Sequence, residues 1–124
     1  MQLSEKVIEA FANAHVKKVV LCDPHCTTML DKDYRQISSY AELGIKVVHH
    51  TELIAKLLPR LPIAPAALLA TYHDPCYLAR GRGITAEPRK ILRSCGVALA
   101  EAEHHGRNTQ CCGAGGARDR KSVV

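Results

Sequence analysis

Hydrophobic positions along the chain change their period several times, and each change marks an element. Val7, Ile8, Phe11 and Ala12 recur at the spacing of one helical face, with Ser4 placed to cap it, which predicts a helix ending between Asn13 and His15. Lys18-Val19-Val20-Leu21 reads as a short buried strand. Cys22-Asp23-Pro24-His25-Cys26 then forms a turn into a second helix, roughly Cys26 to Gln36. Gly44 supplies a turn before the strand Ile45-Lys46-Val47-Val48. His49-His50-Thr51-Glu52 leads from it into an apolar helix, Leu53 to Leu58, closed by Pro59. Leu61 to Pro65, punctuated by Pro62 and Pro65, reads as a linker. Beyond it come a strand from Ala67 to Tyr72, an end turn His73-Asp74-Pro75-Cys76, and a helix from Pro88 to Ser94 with Ile91 and Leu92 inward. Val97-Ala98-Leu99 is the last strand, and Cys111-Cys112-Gly113-Ala114-Gly115-Gly116 is a tight loop whose bend calls for glycine.

Strands alternating with helices give an α/β fold class, a short parallel sheet with flanking helices. In such folds ligands gather where strands end and helices begin, because unpaired backbone donors and access coincide there. Both Cys-bearing turns, 22–26 and 73–76, fall at that end of a strand. The layout of strand, His and Pro near Cys, then helix occurs at Cys22–Leu30 and again at Tyr72–Leu78, with too few identities to constitute a sequence repeat.

The 124 residues, 47% hydrophobic and 23% charged, describe an ordinary globular chain and exclude disordered and fibrous classes. The longest apolar stretch, Ile63 to Tyr72, is broken by Pro65 and is too short to cross a bilayer. Glu5, Lys6 and Glu9 interrupt the N-terminal apolar positions, so no signal peptide is read and a cytoplasmic location is expected. A net charge of +5 comes from basic residues spread along the chain. With one Phe, four Tyr and no Trp there is little surface for base stacking, so no nucleic-acid partner is expected.

Cysteine changes the picture most. Six are present, at 22, 26, 76, 95, 111 and 112, beside seven histidines. In a reducing compartment this favours metal or redox chemistry over a disulfide framework. Zinc ribbons use two close Cys pairs. Here only Cys22 and Cys26 are so spaced, and a lone Cys76 followed far downstream by adjacent Cys111 and Cys112 suits a multi-iron cluster better. His25 and His73 are placed either to donate hydrogen bonds toward a cluster or to act as ordinary caps, and His49 and His50 are expected to cap the helix after them. The glycines after Cys112 match neither a dinucleotide fingerprint nor a Walker loop. Cys26 beside His25 is poor geometry for a nucleophile and its base.

Taken together, Tyr72-His73-Asp74-Pro75-Cys76-Tyr77-Leu78 and Cys111-Cys112-Gly113-Ala114-Gly115-Gly116 resemble the cysteine-rich CCG domain. That family includes the cysteine-rich subunit of heterodisulfide reductase and the iron-sulfur subunits related to glycolate oxidase, anaerobic glycerol-3-phosphate dehydrogenase and lactate-utilisation proteins. Asp23-Pro24-His25-Cys26 and Val47-Val48-His49-His50-Thr51-Glu52-Leu53 resemble the segment joining two such modules, so the likeness runs from about Lys17 to Arg118. Each module of the family carries a lone Cys, a Cys-Cys-Gly and a Cys-x-x-Cys around an iron-sulfur cluster, in some members a non-cubane [4Fe-4S] centre.

The resemblance implies that Cys76, Cys111 and Cys112 are the first ligands of a second module and Cys26 the last ligand of a first. Asp23 stands where the partner of Cys26 is expected, and Cys22 is displaced by one residue. It also implies a division into residues 1–60, the tail of the first module; 61–66, a linker; 67–118, the head of the second; and 119–124, which read as an adapter-derived tail. The implied function is an iron-sulfur electron-transfer subunit of a heterodisulfide reductase-like oxidoreductase. Its partners would be a flavin dehydrogenase or electron-transfer protein and other subunits, with a quinone or disulfide as acceptor. The cofactor would be a [4Fe-4S] cluster, with an incomplete ligand set here. The competing readings are a zinc-binding or structural α/β module, and a fragment inactive by itself.

Overall fold

The computed structural model describes residues 3–113. The chain forms two compact units, Met1–Leu61 and Pro62–Val124.

In the first unit α1 (Leu3–Asn13) precedes β1 (Lys18–Leu21). Asp23 then caps α2 (Pro24–Thr28), its carboxylate accepting the Cys26 N–H at 2.7 Å, with Pro24 in the first turn where its missing N–H costs nothing. Thr27 and Thr28 donate back to the carbonyls of Asp23 and Pro24. The helical path continues as a π turn at Met29–Asp33 and a 3₁₀ turn at Tyr34–Gln36, so the predicted second helix is one path in three pitches. A short α3 (Ser38–Glu42), which the hydrophobic pattern did not predict, leads to β2 (Lys46–His49) and α4 (His50–Leu57). β1 and β2 pair in parallel, Lys18 opposite Lys46 and Leu21 opposite His49. A parallel pair needs a crossover, which α2 and α3 supply. Ile8, Leu30, Tyr40, Ile45 and Val47 form the core of this unit.

In the second unit β3 (Leu68–Ala70) pairs in parallel with β4 (Val97–Leu99), Leu68 opposite Val97, and the crossover is made by α5 (Cys76–Arg82) and α6 (Ala86–Ser94). Here β3 is shorter than the predicted Ala67–Tyr72, and its Leu68 and Leu69 are 58% and 77% exposed. Leu78 and Ala79 of α5, Ile84 and Val97 are buried. Gly83 ends α5 in the left-handed region at φ +72, a conformation that any side chain would strain, and a Cβ there would meet the Arg107 guanidinium at 2.8 Å.

The α/β expectation of short parallel strands with flanking helices holds, with one correction. The strands among the described residues make two separate two-stranded ladders rather than one sheet. No helix among the described residues is long and apolar enough to cross a membrane. The Ala114–Gly116 end of the glycine loop and the 119–124 segment lie outside the described residues.

Candidate iron-sulfur site

Cys76 is the first residue of α5, immediately after Pro75, and is half-buried. A small cleft of about 210 Å³, lined by Cys76, Tyr77, Arg80 and Gly81, opens beside it. What fixes this turn is its neighbour Asp74, 1% exposed. Arg89 of α6 meets the Asp74 carboxylate with two bonds, Nη1 to Oδ1 and Nη2 to Oδ2, both 2.7 Å. The opposite edge of the same guanidinium holds Glu101, Nε to Oε1 at 2.8 Å and Nη2 to Oε2 at 2.9 Å. Arg89 Nη1 also donates to the Thr85 carbonyl at 2.8 Å, and the guanidinium carbon lies 5.4 Å from the centre of the Tyr72 ring.

Burial alone would push the Asp74 carboxyl up. The hydrogen bonds from Arg89 and the Gly106 N–H, with the charge of Arg89, outweigh it and hold the carboxyl below its ordinary range. Hydrogen bonds to Asp74 and Glu101 hold the Arg89 guanidinium firmly charged, and the Arg89 hydrogen bond lowers Glu101 in turn.

The segment that delivers Cys111 and Cys112 is tied to this turn at three points. The Gly106 N–H donates to Asp74 Oδ2 at 2.6 Å, and the hydroxyl of Thr109 donates to the Asp74 carbonyl oxygen at 2.8 Å. Arg80 of α5 donates to the Thr109 carbonyl at 2.6 Å. Thr109 is 1% exposed, whereas Cys111 and Cys112 are both exposed. Gly113 turns the chain at φ +80, and its N–H donates to Cys111 Sγ at 3.4 Å. A hydrogen bond to sulfur stabilises the thiolate form that binds metal.

In the first unit Cys22 and Cys26 are exposed at the carboxyl end of β1. The side-chain hydrogen bond of Asp23, aided by desolvation and its charge, pushes the Cys26 thiol up, so Asp23 opposes the thiolate there. The Asp23 carboxyl is itself lowered, chiefly by the Cys26 backbone N–H. His49, 2% exposed, caps α4 as predicted: Glu52 accepts the His49 N–H at 2.9 Å, and His49 Nδ1 faces the Thr51 hydroxyl at 2.7 Å and the Thr51 N–H at 3.4 Å. With Nδ1 accepting, Nε2 carries the proton and donates to the Cys22 carbonyl at 3.1 Å. His49 therefore braces the Cys22 turn as well as its own helix. His25 and His73 are exposed, and Cys95 closes α6 as its C-cap.

Each cysteine turn is thus braced, yet no group of three or more His, Cys, Asp or Glu among the described residues is placed to hold a metal ion. The six cysteines form no disulfide. In donor type the residues fit a thiolate-bound cluster: a half-buried thiol at a helix start and two exposed thiols on a glycine turn anchored to it. Asp74, Arg89, Glu101 and Thr109 were not singled out from the sequence. One signal was available: Arg89 stands three residues before the inward Leu92, a charge on the apolar side of an amphipathic helix, which asks for a buried partner.

The profile of the cysteine-rich (CCG) domain family matches residues 70–123, from the end of β3 through the cysteine turns. Residues 70–123 are similar to the CCG cysteine-rich domain. Among curated proteins, the chain is 36% identical over 118 residues to a probable membrane-anchored ferredoxin of Chromohalobacter salexigens, covering 92% of this chain and 18% of that protein. It is 38% identical over 114 residues to the EtfAB:quinone oxidoreductase of Syntrophomonas wolfei, covering 90% and 15% respectively. With one subunit of the dihydromethanophenazine:CoB--CoM heterodisulfide reductase of Methanosarcina barkeri it shares 32% over 119 residues, 93% of this chain and 29% of that subunit. The chain therefore spans less than a third of the length of each of these relatives. No solved structure gives a significant match.

Proposed function

We propose that this chain is the iron-sulfur-binding portion of an electron-transfer subunit of a heterodisulfide reductase-like oxidoreductase. In this reading Cys76, Cys111 and Cys112 are thiolate ligands of a [4Fe-4S] cluster, and Cys26, with Cys22 or Asp23 beside it, belongs to a second site. The observation that carries it is the set of hydrogen bonds joining the Cys76 turn to the Cys111-Cys112 turn across more than thirty residues of sequence. Nothing in merely structural thiols requires two such turns to be locked together with Cys111 and Cys112 exposed and Cys76 only half-buried. The relatives, named as a ferredoxin, a quinone oxidoreductase and a heterodisulfide reductase subunit, point the same way.

When bound, the cluster supplies a one-electron carrier whose potential is set by hydrogen bonds to sulfur, burial and local charge. The chain's own contribution is to present thiolates and to tune them. The Gly113 N–H directed at Cys111 Sγ withdraws charge from that sulfur, which raises a potential. We assign 1–60 to the tail of one cysteine-rich module and 67–118 to the head of the next. The remaining ligands would come from other parts of the parent protein, working in the cytoplasm beside a flavin dehydrogenase or another electron-transfer partner.

Anaerobic loading of the full chain with iron and sulfide, followed by dithionite reduction, tests this. The expected result is a broad visible absorbance that bleaches on reduction and a paramagnetic signal at low temperature, both diminished by Cys76→Ser. A chain that takes zinc in preference, colourless and silent to dithionite, would overturn the reading.

A further inference from the structure

Cys76 and Cys111 each stand two residues beyond one shared hydrogen bond, that from the Thr109 hydroxyl to the Asp74 carbonyl. Two residues of chain reach only about 7 Å, so the atoms of this bond hold both cysteines on short tethers. The bond is buried, with Asp74 and Thr109 each 1% exposed, and it is reinforced from both sides. Asp74 Oδ2 accepts the Gly106 N–H, Arg80 donates to the Thr109 carbonyl, and Arg89 fixes the Asp74 carboxylate while spanning to Glu101. The Thr109 N–H meanwhile closes onto the Gly106 carbonyl at 3.2 Å, so the 3₁₀ turn Gly106–Asn108 is capped by Thr109 at one end and tied to Asp74 through the Gly106 N–H at the other.

We infer that Thr109, together with the Asp74–Arg89 pair, positions the Cys111-Cys112 turn against the start of the Cys76 helix. They act as positioning residues and do not touch a ligand. The inference rests on the proposed role of these three thiols as cluster ligands, and it assigns the residues that decide whether the thiols are ready before metal arrives. A four-residue turn floating on its backbone would have to be ordered at each binding event. Here the ordering is already present in the fold, which lowers the entropic cost of gathering ligands from distant parts of the sequence.

The decisive variant is Thr109→Val, which keeps the shape and removes only the hydroxyl. Thr109→Ser restores the donor, and Val97→Ala, at the buried first position of β4 in the same unit, is matched to Thr109→Val as a general destabiliser. Two readouts are taken on the full chain: amide exchange at Gly106 without metal, and the rate at which a chelator strips iron from the loaded chain. Thr109→Val should raise both rates about tenfold, as expected for losing a buried hydrogen bond and leaving its acceptor unpaired. Thr109→Ser should return both toward the parent, and Val97→Ala should move neither by more than about twofold.

Equal effects of Thr109→Val and Val97→Ala, or no recovery with Thr109→Ser, would overturn the inference. Should the parent chain bind no iron, the cluster reading fails by itself, and the amide exchange at Gly106 still decides whether the clamp exists.

Discussion

Replacing Arg89 by Met removes a guanidinium that donates to Asp74, Glu101 and the Thr85 carbonyl at 2.7 to 2.9 Å while keeping much of the side chain's apolar volume. Glu101 lies at the surface and returns to water at little cost. Asp74 cannot, since its side chain is 1% exposed and keeps only the Gly106 N–H. Leaving one charge of a buried pair without its partner costs about 3–5 kcal/mol. A folding unit of about sixty residues, at ~0.1 kcal/mol per residue, is stable by roughly 6 kcal/mol, so the substitution should consume half or more of the second unit's stability. Urea unfolding read at the amides of Leu78 and Ala79, buried in that unit, measures this separately from the first unit. Asp74→Asn introduced into the Arg89→Met background should recover part of the loss, because the stranded charge is gone. A loss under about 1 kcal/mol, or a further loss in the double variant, would refute the claim that Arg89 neutralises a buried Asp74.

Three further outcomes follow from the geometry. Asp74 is held below its ordinary value, so its stabilising contribution is complete above the unfolded value, about pH 4, and disappears as pH falls through the lower native value; the stability gap between the parent and Asp74→Asn should be level near neutrality and close below about pH 4. Tyr40 is 1% exposed with no partner for its hydroxyl among the described residues, so Tyr40→Phe should leave the first unit unchanged or stabilise it by up to about 1 kcal/mol in thermal unfolding. Asp23→Asn keeps the cap of α2 but weakens the side-chain hydrogen bond, and removes the charge, by which Asp23 pushes the Cys26 thiol up; iodoacetamide should alkylate Cys26 roughly two- to threefold faster near pH 8, with an unchanged rate refuting the Asp23–Cys26 coupling.

Local signals in the sequence carried the elements further than they carried the site. Val97–Leu99, the start of β1 and the His49 cap were legible because each depends on neighbours in sequence: a run of aliphatic residues, or a side chain reaching two or three positions ahead. The short α3 was not, since Ser38–Glu42 lacks an apolar stripe and is held by Tyr40, which reaches the core from a polar stretch. Strand partners were also beyond reach, because pairing depends on contacts across some thirty residues, and a sheet of four strands and two sheets of two share one hydrophobic pattern. At the site, the cysteines announced themselves by type and spacing. The residues that hold them did not: the Asp74, Arg89, Glu101 and Thr109 interactions span twelve to thirty-five positions and leave no periodic trace. Only the charge of Arg89 on the inward side of α6 hinted at a buried counterpart.

The central claim is that the Cys-Cys-Gly turn and Cys76 together hold an iron-sulfur cluster. Iron and acid-labile sulfide counts on the anaerobically reconstituted full chain, set against a Cys111→Ala and Cys112→Ala double variant, test it most directly. The expected result is iron and sulfide bound in equal amounts by the parent chain, and loss of both in the double variant while its secondary structure persists. Metal retained by the double variant, or iron absent from a correctly folded parent, would contradict it.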